Sequence, residues 1–320
     1  MPIAGSLGLH AQSGIVLDNA LSVSGQLSLH TTAGNATIVN QVGIDLAPHI
    51  NGDITGNLSL TAVTGNITDS GGTTTVTGTG TFTTQAANAD ITLDEPISVG
   101  GAISLNTSGA TGNATIVNAS AVNLGTSNVG GNLSVTASAG NMTDSGTATV
   151  GGTGSFTTSA SNATITLDQL AVTGAIDLHT TGASGNAAIT NVSAVDLAAS
   201  AIGGNLSVTA SSGAITDSGA VTIGGSGAST FTASGPADIT LDQVSAPSGS
   251  LGFTTFTGNV SLTMPASTLV SIGASNVDGN VVINADDVNF TGGNDSVGIS
   301  GTLDIVPITT TREIVLGTSG

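Results

Sequence analysis

The sequence predicts an all-β protein in which the chain winds into a parallel β-solenoid. Short runs in which Val, Ile and Leu alternate with Thr and Ser are separated by Gly, Ser, Asn and Asp, a pattern typical of half-buried strands joined by turns. Close copies of one block return about every 74 residues, as stacked structural repeats do. The chain has no Lys, one Arg and two Glu, so it contains few of the residues that favour helices.

Four short phrases mark the repeat: GNLS, ITDSG or MTDSG, TF, and ITLD. In the three copies they place Asn57, Asn132 and Asn205; Asp69, Asp144 and Asp217; Phe82, Phe156 and Phe231; and Asp94, Asp168 and Asp242. We therefore predict a single solenoid domain over residues 1–320. It divides into a partial repeat at 1–26, repeat 1 at 27–102, repeat 2 at 103–175, repeat 3 at 176–250 and divergent coils at 251–320.

Each repeat is predicted to make three coils, and the whole chain about 13 coils of roughly 20–28 residues. One coil alone cannot bury its apolar face. Stacking coils ~4.8 Å apart pairs each strand with its counterparts above and below, and merges the inward side chains, among them Val208 and Phe231, into one core. An antiparallel sandwich or barrel also uses many short strands, but it gives no reason for copies at a fixed interval.

Composition narrows the classes of partner. The formal charge is -19, and the single Arg cannot supply a patch for phosphates, so we expect no nucleic-acid partner. The chain has no Cys, which removes disulfides and thiolate metal sites. No run reaches the ~18 apolar residues of a membrane helix, so we expect no membrane insertion. Residues 1–20 lack the features of a secretion signal, so either the protein is cytoplasmic or its export signal lies outside this chain.

Three pairs of aspartates are the candidate chemical sites. Their members are separated by 25, 24 and 25 residues, which is about one coil: Asp69 with Asp94, Asp144 with Asp168, and Asp217 with Asp242. If the members of a pair stack on adjacent coils, the two carboxylates could share a Ca²⁺ ion or raise each other's pKa. The alternative, which the Asp-Ser-Gly context favours, is that these residues cap turns. We expect no cofactor, with Ca²⁺ as the open alternative.

Enzymatic use of the same pairs is disfavoured. The pairs recur in all three repeats without a His, Tyr or basic residue beside them, whereas an active site is usually singular. We therefore expect that the protein is not an enzyme.

Histidines recur in one phrase. His10 and His30 occupy matching Leu-X-Leu-His phrases 20 residues apart, which predicts that they stack on neighbouring coils. His179 repeats the phrase, but its counterpart in repeat 2 is Asn106. That exchange favours an outward polar position over a metal ligand or a pH sensor.

The sequence contains three weaker patterns. Residues 292–297 (GGNDSV) partly match the calcium-binding nonapeptide of tandem-repeat solenoids but occur once, which favours a loose turn. The Thr-rich run at 73–83 would need flat ladders on every coil to act as an ice-binding hydroxyl array. Asn57, Asn132 and Asn205 lie in Asn-X-Ser/Thr sequons, a pattern that arises often by chance in such a composition.

The phrases also carry a resemblance. Residues 203–219 (GGNLSVTASSGAITDSG), the phrase ADITLD and the closing TTTREIVLGTSG around Arg312 resemble repeats of filamentous-haemagglutinin-like large exoproteins, which are two-partner-secreted adhesins of Gram-negative bacteria. The resemblance implies a right-handed parallel β-helix exported through an outer-membrane secretion partner and displayed at the cell surface. The sequence lacks an NPN-type motif of the secretion domain, which places it in the interior shaft.

Two functions follow as expectations. The first is a structural shaft of a secreted, cell-surface filamentous adhesin, with low-specificity contacts to a host or neighbouring-cell surface through outward Thr, Ser, Asn and Asp. The second is a segment or subunit of an extracellular filament that assembles end to end, because a solenoid end exposes unpaired strand edges. Enzymatic turnover of a polysaccharide is the third and weakest alternative.

Overall fold

A computed structural model describes residues 2–49, 53–245, 247–291, 293 and 296–309. It contains strands and turns and no helix in those ranges. The chain divides into two compact units, Met1–Ala160 with Gln169–Gly174 and Ser161–Asp168 with Ala175–Gly320. Each unit is described separately below.

The first compact unit contains the strands up to the division near residue 160. They are β1 (Pro2–Ile3), β2 (Leu7–Ala11), β3 (Ile15–Val23), β4 (Gln26–Thr31), β5 (Ala36–Asn40), β6 (Ile44–Ala47), β7 (Leu58–Ala62), β8 (Ile67–Asp69), β9 (Thr75–Val76), β10 (Gly80–Ala87), β11 (Ile91–Val99), β12 (Ala102–Ser108), β13 (Ala114–Asn118), β14 (Val122–Leu124), β15 (Ser127–Val129), β16 (Leu133–Ala137), β17 (Met142–Asp144) and β18 (Ala148–Val150). Strand β19 (Gly154–Ser161) ends just past the division, and β20 (Ile165–Val172) crosses it.

The second compact unit contains the remaining strands. They are β21 (Ile176–Thr181), β22 (Ala187–Asn191), β23 (Val195–Leu197), β24 (Ser200–Ile202), β25 (Leu206–Ala210), β26 (Ile215–Asp217), β27 (Val221–Ile223), β28 (Ser229–Ala233), β29 (Ile239–Leu241), β30 (Ser250–Thr255), β31 (Val260–Thr263), β32 (Leu269–Ile272), β33 (Ser275–Val277), β34 (Val281–Asn284), β35 (Asp287–Phe290), β36 (Val297–Ile299) and β37 (Leu303–Val306).

Within each unit the chain passes back and forth between two parallel sheets, and each full turn adds either one long strand or two short strands to a sheet. Strands β8 and β9, for example, both pair with β11. In the first unit, β5, β7, β10 and β12 are successive rungs of one sheet, with Ala36 beside Leu58, Leu58 beside Gly80, and Gly80 beside Ile103. Every strand pairing described inside a unit is parallel. The described residues make about 14 turns, which confirms the predicted parallel β-solenoid.

The core lies between the two sheets and follows from the alternation in the sequence. Strands such as β7 and β25 show alternating buried and partly exposed residues, because successive side chains in a strand point to opposite faces. Val208 and Phe231 occupy paired rungs and are fully buried, so the predicted inward face is confirmed. The Phe231 ring stacks on Phe253 of the next rung, with ring centroids 5.9 Å apart.

The sequence repeat covers three full turns and one further sheet crossing. In the first unit the same pentapeptide, ATIVN, forms both β5 and β13. From β5, three steps between neighbouring strands of one sheet lead through β7 and β10 to β12. Strand β13 then lies in the other sheet. Successive copies of a phrase therefore lie on opposite faces of this unit.

Buried asparagines hold the chain where it leaves these strands. The Asn118 side chain is fully buried; its Oδ1 accepts the Val99 N–H at 2.8 Å, and its Nδ2 donates to the carbonyls of Val99 and Ala121 at 3.1 and 2.7 Å. Asn191 donates to the Ala194 carbonyl at 2.8 Å in the second unit. Because each buried polar group is paired, these corners are stable inside an apolar core.

Candidate functional site

The first aspartate of each predicted pair binds backbone on the following rung. Asp217 ends strand β26 and is 9% exposed. Its Oδ1 accepts the N–H of Asp242 and its Oδ2 accepts the N–H of Gln243, each at 2.8 Å. A carboxylate that accepts two backbone N–H groups ties one turn of the solenoid to the next.

The same contact recurs at the equivalent positions of the first unit. Asp69 accepts the N–H of Glu95 at 3.3 Å, and Asp144 accepts the N–H of Gln169 at 2.9 Å. Glu95, Gln169 and Gln243 each follow the ITLD phrase in its three copies. These hydrogen bonds are consistent with the interpretation of the first aspartates as turn caps. The turn that each aspartate caps, however, belongs to the next rung and not to its own.

In two of the pairs the members do not stand at paired positions, so the stacking that a shared ion would need is offset there by one residue. Thr216 pairs with Thr240, and continuing that register puts Asp217 beside Leu241, one residue before Asp242. Thr68 pairs with Thr92 and offsets Asp69 from Asp94 in the same way. A shift of one residue reverses the face of a strand, and the second aspartates of the pairs, Asp94, Asp168 and Asp242, are accordingly exposed.

Burial governs the titration of the first aspartates. The pKa of Asp69 is raised to about 6, chiefly by burial and also by the neighbouring Asp94 charge, while the backbone N–H bonds oppose the shift. Burial also raises the pKa of Asp217, against the two N–H bonds that favour its ionised form. The desolvation of a carboxylate outweighs its hydrogen bonds at both positions.

The described residues include no group of three or more His, Asp or Glu side chains arranged to hold a metal ion. Ca²⁺ takes about 6–8 oxygen ligands, and both oxygens of Asp217 already accept N–H bonds. A Ca²⁺ ion shared by Asp217 and Asp242, Asp144 and Asp168, or Asp69 and Asp94 stays an untested prediction.

A ladder of asparagines, which the sequence analysis missed, runs along the edge of the first unit. Each side-chain Oδ1 accepts the backbone N–H of the next ladder residue at 2.7–2.9 Å. We call this set the asparagine ladder: Asn66, Asp90, Asn113, Asn132 and Thr153. The second unit has a similar series: Asp238, Asn259, Asn280 and Thr302. The signal in the sequence was the Gly-Asn phrase recurring at the spacing of one turn.

The sequon asparagines belong to such series. Asn57 accepts the Thr79 N–H at 2.8 Å, and Asn205 accepts the Gly227 N–H at 3.0 Å. Their recurrence therefore has a structural cause that is independent of glycosylation.

Outward hydroxyl groups line an open groove in the first unit, with a volume of about 400 Å³. Its floor is a column of Thr92, Thr115, Ser134 and Ser155 on paired rungs, and Asp90, Asn113 and Asn132 of the ladder form its border. We call this surface the hydroxyl groove. The Thr-rich run at 73–83 does not form such a face, because Thr74 is buried and β9 and β10 belong to different sheets.

Histidines stack as expected at one place. His10 and His30 are paired residues of β2 and β4, with ring centroids 4.4 Å apart, which confirms the predicted stacking. His49 joins them at 5.5 Å from His30, and this third member was missed because its phrase differs. His179 is 42% exposed and its Nε2 lies 3.7 Å from Oδ1 of Asp177.

Two sequence features lie outside the described residues. They are half of the 292–297 phrase, namely Gly292, Asn294 and Asp295, and the closing phrase around Arg312.

Fold and side-chain ladders together define a repeat protein of the parallel β-solenoid class. The chain belongs to a family described as repeats of unknown function (DUF5649), which matches residues 33–106, 111–179 and 184–263. No curated protein and no solved structure matches it. Within the described residues, no helix has the length and apolarity needed to cross a membrane.

Proposed function

We propose that this chain is part of the structural shaft of a secreted, cell-surface filamentous adhesin. The observation that supports the proposal is the repetition of the same inter-turn contacts along each unit. Backbone pairing, the asparagine ladder and the aspartate caps each join one turn to the next. In a structure whose repeats contact only their neighbours, such contacts distribute stability along the whole array. A shaft that must stay folded over its full length requires this distribution.

The sequence resemblance supplies the setting of this proposal. Repeats of filamentous-haemagglutinin-like exoproteins resemble residues 203–219, and the family exports such shafts through an outer-membrane partner in Gram-negative bacteria. A segment with one Arg and no Lys also offers few cleavage sites to trypsin-like proteases, which suits exposure outside the cell.

Contacts with another surface are assigned to the hydroxyl groove. Hydroxyl and amide groups line it, with Asp90 as its charged member, in a chain of net charge -19. Such a surface repels polyanions and offers hydrogen bonds to neutral, hydroxyl-rich chains. The proposed contact is therefore of low specificity, with neutral surface glycans as its chemical class.

The test measures binding of the purified chain to immobilised neutral and sulfated glycans. We expect weak binding to the neutral glycans, lost in a Thr115→Lys, Ser134→Lys variant. The control Thr61→Lys, Thr83→Lys places the same charges on partly exposed positions of β7 and β10, in the other sheet. Equal loss in both variants, or stronger binding to sulfated glycans, would overturn the assignment to the groove.

End-to-end assembly is the second candidate, favoured by strand β37. Among the described strands, β37 pairs only with β34, and Leu303 and Val306 on it are 40% and 46% exposed. An edge strand with exposed apolar side chains is a template for pairing with another chain.

Negative-stain microscopy tests this second candidate. We expect fibres of uniform width for the natural chain and their loss in Leu303→Lys, Val306→Lys. A Val192→Lys variant changes another exposed apolar residue and is the control. Monomeric particles for the natural chain at high concentration would leave the shaft proposal standing and reject the filament.

A further inference from the structure

Three of the four histidines of the chain form one stack in the first turns of the first unit. His10 on β2 and His30 on β4 are paired residues, and His49 follows β6, the next rung of that sheet. Ring centroids are 4.4 Å apart for His10 and His30, 5.5 Å for His30 and His49, and 6.1 Å for His10 and His49. We call these three residues the histidine column.

The middle of the column is buried and incompletely satisfied. His30 is 8% exposed, and its Nδ1 is a buried atom without a hydrogen-bond partner among the described residues. A neutral imidazole tolerates this position because it stacks on its neighbours. A protonated imidazole there would bring a second N–H and a full charge into a site with no acceptor for them.

Two of the carboxylates on the surrounding strands have hydrogen-bond partners of their own. The titratable side chains on elements packed around it are Asp18 on β3, Asp45 on β6, Asp53 beside Ile54, and Asp69 on β8. Asp45 binds the Ser70 hydroxyl with both oxygens at 2.8 and 2.9 Å, and Asp69 caps the Glu95 N–H. Burial and the charges of His30 and His10 lower the pKa of His49.

We propose that the histidine column is an acid-operated release of the first turns of the protein. At neutral pH the three neutral rings pack as a continuous stack between rungs. In mild acid, protonation places like charges on rings whose centroids are 4.4–6.1 Å apart, and the strands that carry them, β2 and β4 with the residues after β6, separate. The function of the device is to loosen the turns that carry the column while the other turns stay paired.

The direction of the effect follows from proton linkage. A histidine with a lowered pKa binds fewer protons in the folded than in the unfolded protein, so its contribution to stability is fully present above its ordinary pKa of 6.5 and is lost as the pH falls below that value. Asp69 acts in the opposite sense, since its pKa is raised to about 6. A local readout is therefore needed to separate the two effects.

Hydrogen exchange of the full chain, compared at about pH 8 and about pH 5 after correction for intrinsic rates, is that readout. Amides of β2 and β4 are expected to exchange measurably faster at the lower pH, and those of β13 and β16 are expected to be unchanged. In His10→Gln, His30→Gln, His49→Gln the difference is expected to vanish. His179→Gln, at an exposed position away from the column, is expected to keep it.

An acid response that persists in the triple variant would overturn the proposal, as would equal protection of β2 and β4 at both pH values. If the triple variant does not fold, the NMR titration of the four histidine rings in the natural chain decides. A pKa of His49 below its ordinary value of 6.5 supports the proposal, and an unshifted pKa of His49 overturns it.

Discussion

The central and the last turns of the second unit use similar phrases but bury them to different extents. In the central strands β25 and β28, residues alternate between buried and partly or fully exposed. In the last strands β35 and β37, every residue is partly or fully exposed. Leu206 is 1% exposed and Leu303 is 40% exposed. An apolar side chain is therefore inward by its place in the strand, but it is buried only when a rung covers it on each side.

The largest expected difference between these turns concerns phenylalanine. Phe231→Ala removes a fully buried ring that stacks on Phe253, and it should lower the free energy of unfolding by ~3–5 kcal/mol. Phe290→Ala, at a ring that is 41% exposed, should cost less than ~1 kcal/mol, since surface changes usually have small effects. Denaturant unfolding followed by circular dichroism measures both. Equal losses would show that the last turns are as well covered as the central ones.

Asparagine gives the second comparison. Asn191→Ala removes a fully buried side-chain amide together with its bond to the Ala194 carbonyl at 2.8 Å, and should cost ~1–3 kcal/mol. Asn280→Ala removes an exposed acceptor of the Thr302 N–H, which water can replace, and should cost less than half as much. The midpoints and slopes of denaturant curves separate the two variants. A larger effect for Asn280 would mean that the surface series carries more of the stability than the buried corners.

Glycine tests how closely the turns approach each other. Gly213 has φ of +101°, and an added Cβ would meet Ala194 at 2.9–3.0 Å, so Gly213→Ala should cost more than ~1 kcal/mol. Gly293 has φ of +82° but open space around it. Gly293→Ala should therefore show the backbone strain alone and a smaller loss. Matching losses in thermal unfolding would remove close packing as the cause.

Titration gives a smaller expected effect. The raised pKa of Asp217 means that the folded protein binds more protons than the unfolded chain above pH 3.8. Its contribution to stability should therefore fall as the pH rises from 3.8 to the raised pKa. Asp217→Asn should flatten this part of the pH–stability curve, whereas Asp304→Asn on the exposed strand β37 should leave it intact. A curve unchanged by Asp217→Asn would contradict the assignment of the shift to burial.

Removal of divalent cations has the smallest expected effect. If the aspartates act as caps, a chelator should leave the thermal unfolding midpoint unchanged, because both oxygens of Asp217 accept backbone N–H groups and need no metal ion. A lower midpoint that Ca²⁺ restores would instead support the shared-metal alternative for Asp217 with Asp242. Asp242→Asn distinguishes the two cases, since it removes a metal ligand but keeps the main-chain donor.

Some features of the candidate sites could be predicted and others could not. The stacking of His10 on His30 followed from two matching phrases one turn apart. His49 escaped notice because its phrase is different, and only the winding of the chain brings it to the same column. The members of each aspartate pair are about one turn apart in the sequence, but that spacing does not give the register between neighbouring strands. A register shift of one residue changes the face on which a side chain lies.

The sequence by itself determined the class of fold, because alternating apolar and hydroxyl residues with turn signals specify strands, and copies at a fixed interval specify stacking. It also determined which face of each strand is inward, as Val208 and Phe231 show. Only the tertiary structure decided the register between rungs, the placement of successive ATIVN copies in opposite sheets, and the partners of Asp217 and Asn113. The register, the sheet placement and the hydrogen-bond partners depend on how many residues each corner between strands contains. That number varies from turn to turn, and local sequence patterns do not encode it.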